Sequence, residues 1–259
     1  MLPQEIALEK ICQSLQEDEH VVAIFVKGSM GRNEYDEHSD IDLYCMVDKQ
    51  NEQEFLARRL EHIKAYRPII FQDDIFIIAP QIIAVYDDYL HIDLFTVTRE
   101  TFSSKDYFKV LYDPHQLLDE FVDKQSLVLS DNEFKDNVID VAWFMFQYKK
   151  SSARGNDIWS VKMLTNAMEH LARVLLHRYS PERAQLGLKT IERSLPANII
   201  NELSVIFKNI TPENNRKAAN LLSEFLLSEA KWIRSHFNEG DQVMLLLDKM
   251  IEFHLFQRR

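Results

Sequence analysis

Two styles of hydrophobic patterning divide the chain, with the change near residue 130. From Pro3 onward, apolar residues recur at Ile6, Leu8, Ile11, Cys12 and Leu15, a helical spacing with proline at its start. VVAIFVKG, from Val21 to Gly28, reads as a buried strand ended by glycine, and IDLYCMV, from Ile41 to Val47, as a second strand. The charged, periodic stretch from Asn51 to Tyr66 predicts a surface helix. Between Pro68 and Thr98 the chain is rich in Ile, Val, Phe and Tyr and breaks at Asp73-Asp74, Pro80 and Asp87-Asp88. These breaks predict three short strands joined by tight turns, the last of them alternating well from Tyr89 to Val97. Lys109 to Pro114 predicts an edge strand.

Beyond Ser130 the period becomes helical. A helix capped by Asp131 or Asn132 is expected to run to Lys150, and a second from Ile158 to Tyr179 with Asn156 or Asp157 as its cap. Three more follow near 197–208, 213–237 and 242–257, separated at Pro196, Thr211-Pro212 and Glu239-Gly240. Strands first and helices afterwards predict an α+β fold, with a sheet-forming domain over 1–125 and a helical bundle over 126–259.

Charge follows the same division. Residues 1–125 hold 12 Lys and Arg against 25 Asp and Glu, and residues 126–259 hold 18 against 16. A net charge of −11 argues against duplex nucleic acid as a partner, because that needs a basic face to displace counterions. An acidic half suits metal ions or a cationic small molecule instead. No apolar run approaches the ~20 residues of a membrane span, and the start MLPQEIALEK lacks a signal-peptide core. A cytoplasmic protein without membrane contact is therefore expected. Two cysteines, Cys12 and Cys45, form no disulfide framework or metal-ligand spacing.

The stretch VKGSMGRNEYDEHSDIDLYCMV carries the chemistry. A strand delivers Gly28 and Ser29 to a turn, and Ser39-Asp40-Ile41-Asp42 opens the next strand. Alternation puts Asp40 and Asp42 on one face and Ile41 in the core. Two carboxylates ~7 Å apart on a strand face repel unless a cation lies between them. Hard oxygen ligands of this kind suit Mg²⁺. Asp93, in HIDLF, repeats the pattern of an acid between two core residues. Three acids from two strands can hold two Mg²⁺ ions for in-line phosphoryl or nucleotidyl transfer. Gly28 lets the backbone approach a phosphate, Ser29 donates to it, and Arg32 can neutralise its charge.

GSMGRNEYDEHSDID, with the later hydrophobic-Asp-hydrophobic strand, closely resembles the signature of the polymerase-β-like nucleotidyltransferase superfamily. That signature is a hydrophobic residue, Gly and Gly or Ser, then about ten residues, then two acids separated by one hydrophobic residue. The GSxGR turn and the serine before the first aspartate are most similar to the antibiotic nucleotidyltransferases acting on kanamycin and lincosamides. FQYKKSSARGNDIW and the helix ending LLHRY are more weakly similar to the first two bundle helices of those enzymes. The resemblance implies a small mixed sheet followed by a helical, acceptor-binding bundle. It implies Asp40, Asp42 and Asp93 as catalytic and metal-binding residues, Asp93 either completing the metal site or acting as general base. Gly28, Ser29, Arg32 and Ser39 would hold the triphosphate. The implied reaction is Mg²⁺-dependent transfer of a nucleoside monophosphate, AMP from ATP, to a hydroxyl of an aminoglycoside- or lincosamide-like molecule held between the two domains. A homodimer sharing a cleft is an arrangement this family raises. The chain departs from the kanamycin-type pattern at Gln147, which stands where those enzymes place a catalytic glutamate and cannot take a proton. A nucleotidyltransferase modifying a protein, of toxin–antitoxin type, and a non-catalytic nucleotide-binding regulator remain alternatives.

Outside the signature, Lys149 and Arg154 are candidates for the nucleotide phosphates, and Glu169 for the acceptor. Trp143, Phe144 and Phe146 read as core, Trp159 as either packing or acceptor contact, and Asp73-Asp74 as turn residues.

Overall fold

The structure, a computed structural model, describes residues 1–256. It is α+β, with a strand-rich unit over Met1–Ser126 and a helical unit from Leu127 onward.

In the first unit α1 (Pro3–Gln16) leads into β1 (Val21–Val26), and a single helical turn, α2 (Gly28–Gly31), precedes β2 (Ile41–Val47). A short 3-10 turn and α3 (Glu52–Ile63) lead to β3 (Ile69–Phe76), β4 (Pro80–Tyr86), β5 (His91–Val97) and β6 (Lys109–Tyr112), with a one-turn α4 (Asp119–Val122) after them. The six strands form one sheet in the order β3-β4-β5-β2-β1-β6. It is mixed: β2 and β5 run parallel and every other neighbouring pair antiparallel.

Alternation divides the side chains between two faces. Ile41, Leu43 and Cys45 of β2 and Ile92 and Leu94 of β5 pack with Ala7, Ile11 and Leu15 of α1 and Phe55 and Ile63 of α3. The opposite face gathers Phe25, Tyr44, Met46, Phe95 and Val97, joined by Phe108 and Leu118. Its centre is an aromatic row in which the Tyr44 ring stacks on Phe95 at 4.4 Å and on Phe25 at 5.1 Å. Stacked pairs of this kind contribute about 0.5–1.5 kcal/mol beyond their buried area and stiffen the floor beneath the site. Burial pushes the Cys12 thiol up to about 12 and raises the Cys45 thiol well above its ordinary range.

Asp73 and Asp74 are not turn residues. They lie inside β3, paired with Ile83 and Ile82, and the turn falls three residues later, over Ile77 to Ala79. On an edge strand acids remain solvated, which removes the usual objection to them there. Asp74 also accepts a 2.7 Å hydrogen bond from Arg59, a guanidinium buried on α3 that reaches Thr96 as well.

The helical unit contains α5 (Asp131–Ala153), α6 (Asp157–Tyr179), α7 (Ile191–Ser194), α8 (Ala197–Asn209), α9 (Asn215–Arg234) and α10 (Gln242–Phe256). Pro181–Lys189, a 3-10 segment the periodicity did not reveal, joins α6 to α7. The cap of α5 is Ser130, not Asp131 or Asn132. Its side chain accepts from the Glu133 amide while the Glu133 carboxylate accepts from the Ser130 amide, a capping box. The helix also continues past Lys150 by three residues. Trp143 is not core: it is 47% exposed, whereas Phe144 and Phe146 pack against the buried cluster around Met145, Leu171 and Leu222. Trp159 is 56% exposed. Among the described residues no helix is long and apolar enough to cross a membrane.

Candidate active site

The parallel pairing of β2 and β5 sets the site. Ile41 faces Ile92, Asp42 faces Asp93, and Leu43 faces Leu94. Adjacent strands lie ~4.8 Å apart, so the Asp42 and Asp93 carboxylates are cross-strand neighbours on one face while their flanking residues enter the core behind. Their like charges oppose one another, and a cation between them removes that cost.

β1 brings the turn against this pair. The Lys27 amide donates to the Asp42 carbonyl at 3.0 Å. Gly28 follows with φ of +60°, a conformation that favours glycine, and a Cβ there would lie 1.9 Å from Asp42 Oδ2. Glycine is thus required twice over, by conformation and by contact with the carboxylate. Amides of Gly31, Arg32 and Glu34 close the turn onto the carbonyls of Lys27, Gly28 and Ser29. Gly31 is needed for packing, since a Cβ would come within 2.5 Å of the Tyr107 carbonyl oxygen. The Ser29 hydroxyl is buried and has no hydrogen-bond partner among the described residues.

Two of the sequence-derived phosphate ligands are engaged with other groups. Arg32 Nη1 lies 2.5 Å from Asp106 Oδ2 and its Nε 3.0 Å from Glu34 Oε2. The Ser39 hydroxyl accepts from the Asp36 amide at 3.0 Å, and the Ser39 carbonyl accepts from the buried Gln4 side chain at 2.7 Å. Ser39 therefore shapes the loop that delivers Asp40. Asp40 precedes β2 by one residue, with a side chain half exposed, and Asp93 is 13% exposed.

Two basic residues on this face escaped the sequence reading. Lys27 is buried, and its ammonium lies 5.1 Å from the centres of the Tyr44 and Phe102 rings and donates to the carbonyls of Ser103 and Lys105. Burial pushes its pKa down to about 8, against the opposing pull of Asp106 and Asp42. With Gly28, Asp42, Tyr44, Phe102 and Asp106 it lines a cavity of about 320 Å³. His91 stands between two of the acids, Nε2 at 3.2 Å from Asp93 Oδ1 and Nδ1 at 3.8 Å from Asp40 Oδ2. Its hydrogen bond to Asp93 raises its pKa above the ordinary histidine value. Alternation could have found both. Lys27 lies two residues beyond Phe25, and His91 two before Asp93, so each shares the face of its even-spaced neighbour. Asp106, with φ of +66°, has no such local signal.

In the helical unit Lys149 lies on α5, its ammonium 4.3 Å from the centre of the Phe253 ring. With Tyr148, Ser152, Arg216 and Asn220 it lines a cavity of about 360 Å³. Gln147 is half-buried on the same helix, Arg154 follows its last residue, and Glu169 is half exposed on α6.

Asp42 and Asp93 stand side by side across the strand pair with Gly28 pressed against Asp42, while Asp40, His91 and Asp93 each offer a ligand atom within 4.8 Å of the other two; hard oxygens so placed fit a divalent cation with a phosphate beside it. Residues 9–84 match the family described as Polymerase beta, Nucleotidyltransferase. The resemblance read from the signature is borne out there. The fold is similar to that of an aminoglycoside 6-adenyltransferase from Bacillus subtilis, at 12% identity and a TM-score of 0.40, over 98% of each chain. It is similar to a nucleotidyltransferase-like protein from Exiguobacterium sibiricum 255-15, at 9% identity and a TM-score of 0.42, over 98% of this chain and 91% of that one. A spectinomycin adenyltransferase, AAD(9), from Enterococcus faecialis gives 11% identity and a TM-score of 0.33, over 97% and 98%. No curated protein matches the chain in sequence.

Proposed function

We propose that this protein is a Mg²⁺-dependent nucleotidyltransferase that moves AMP from ATP to a hydroxyl of a small, cationic acceptor and releases pyrophosphate. The observation that carries the reading is the in-register pair of Asp42 and Asp93 with Gly28 pressed against the Asp42 carboxylate. Bound Mg²⁺ ions would stabilise charge on the attacking and leaving oxygens. The chain's own residues do the rest. Asp40, Asp42 and Asp93 hold the ions. Gly28 and Ser29 present backbone and hydroxyl to the triphosphate, and Lys27 adds positive charge from the cavity wall beside Asp42. As the acceptor oxygen bonds to the α-phosphorus, the bond to the bridging oxygen breaks and pyrophosphate departs. The acceptor's proton passes to a carboxylate within hydrogen-bond reach, for which Asp93 is the candidate because Gln147 cannot serve.

The acceptor class rests on charge. A cavity of about 500 Å³ is lined by Glu37, Asp40, Asp88, Tyr89 and His91, an acidic rim suited to a polyamine sugar such as an aminoglycoside. Pyrophosphate release from ATP and Mg²⁺, measured against aminoglycosides, lincosamides and simple amino sugars, tests this. Release should depend on one acceptor class and vanish in Asp42→Asn with the fold intact. Wild-type turnover in that variant would remove the metal assignment. Silence across the panel with ATP bound would replace the small acceptor by a protein one.

A further inference from the structure

Asp40, His91 and Asp93 each offer a ligand atom within 4.8 Å of the other two. We propose that this triad is a nitrogen-containing cation site that selects Mn²⁺ over Mg²⁺, beside the all-oxygen position at Asp42 and Asp93. The inference rests on the nucleotidyltransferase reading and refines which cation that site takes.

Strand pairing assembles the triad. His91 and Asp93 are two residues apart on β5 and share a face. Asp40 stands one residue before the Ile41–Ile92 pair, hence opposite His91 in the parallel register. Side-chain exposures of 50% for Asp40, 37% for His91 and 13% for Asp93 leave the rim open to a hydrated ion. Asp40 and His91 also line the cavity above it. Ligand atoms at right angles around a cation, with bonds of ~2.1 Å, stand about 3 Å apart. One ligand atom from each residue already lies within 4.8 Å of the other two, so closing to that spacing takes side-chain rotation and no movement of the strands.

The donor chemistry decides the ion. Mg²⁺ prefers oxygen donors and water, whereas an imidazole nitrogen favours first-row transition ions. Of these, Mn²⁺ also accepts the two carboxylates and the waters of an exposed site. The competing role for His91 is that of a protonated counter-ion lying where the metal would go. The two roles predict opposite effects of removing it.

Mn²⁺ binding to the full chain, without nucleotide, should be followed by electron paramagnetic resonance in wild type, His91→Ala and His91→Gln, with Mg²⁺ as competitor. Electron spin-echo modulation should reveal a directly bonded ¹⁴N in wild type that both variants lose. In His91→Ala the Mn²⁺ Kd should rise at least about tenfold, the lower end of what an outer-sphere partner of a metal ligand costs. The Mg²⁺ Kd should change far less, and matched thermal melts check the fold. No ¹⁴N coupling, or tighter Mn²⁺ binding in His91→Ala, overturns the proposal. That failure is separable from failure of the enzymatic reading, which would show as nitrogen-coupled Mn²⁺ without nucleotidyl transfer to any acceptor.

Discussion

Replacing Gly28 by alanine should disable the site far more than it destabilises the fold. The positive φ of +60° costs an alanine about 1–2 kcal/mol in the left-handed region. The new Cβ would stand 1.9 Å from Asp42 Oδ2, and ordinary contact begins near 3.4 Å, so the carboxylate must retreat by about 1.5 Å. A displacement of ~1 Å in a catalytic group costs on the order of 10²-fold in rate. Gly240→Ala is the control, because Gly240 has φ of +77° and nothing within 4 Å of its added Cβ, so only backbone strain remains. Urea unfolding should give losses of about 1–2 kcal/mol for both variants. Pyrophosphate release, with whichever acceptor supports turnover, should fall at least ~10²-fold in Gly28→Ala alone. If Gly28→Ala retains activity within about threefold of Gly240→Ala, the close approach of Gly28 to Asp42 does not organise the site, and the argument from it fails.

Two further substitutions test the electrostatics of the sheet unit. Asp18, with a side chain 3% exposed, accepts two 2.6 Å bonds from Arg58 and one from the His20 amide, and lies 3.1 Å from His62, tying the end of α1 to α3. The Arg58 guanidinium, foremost among these partners, holds its carboxyl well below the usual range. Asp18→Asn should cost about 1–3 kcal/mol at pH 7. A depressed folded pKa stabilises above the unfolded value near 3.8 and is lost as pH falls, so the gap to wild type should narrow between pH 5 and 3. An equal gap at both pH values would contradict it. For Lys27 the sign is opposite. Burial lowers its folded pKa to about 8 from 10.5, so between those values the unfolded chain binds more protons and stability rises with pH. Wild type should gain on the order of 2–3 kcal/mol relative to Lys27→Met between pH 7.5 and 10, as read by urea unfolding. A flat difference would show that the ammonium is solvated.

Alternation made much of this architecture legible, because it is local. Ile41 to Val47 reads correctly as a strand with Asp42 on the non-core face, and the same rule fixes Asp93 between Ile92 and Leu94. A stretch of about fifteen residues, from Gly28 to Asp42, holds most of the signature, so the segment bearing the phosphate and metal chemistry can be read without knowing the rest of the fold. The same rule places Lys27 and His91 on the site face, although the signature asks for a hydrophobic residue where Lys27 stands and does not reach His91. Turn propensity misled at Asp73-Asp74, because it competes with a distant partner, the buried Arg59, that only tertiary packing supplies. Helical spacing misled at Trp143, since it places a residue relative to its own helix and not relative to the layer that covers it.

Strand adjacency lies beyond any periodicity. β5 is reached through α3, β3 and β4, and only its parallel pairing with β2 sets Asp93 beside Asp42 and Asp40 opposite His91. A slip of one residue would turn Asp93 into the core and Ile92 toward solvent. Ile92 and Leu94 are fully buried, so that slip would replace two core side chains, each contributing about 1.5–3 kcal/mol, by a carboxylate. The apolar residues on either side of Asp93 are therefore what fix its position. They hold the register from the core face, and the carboxylate is placed by side chains that take no part in the chemistry.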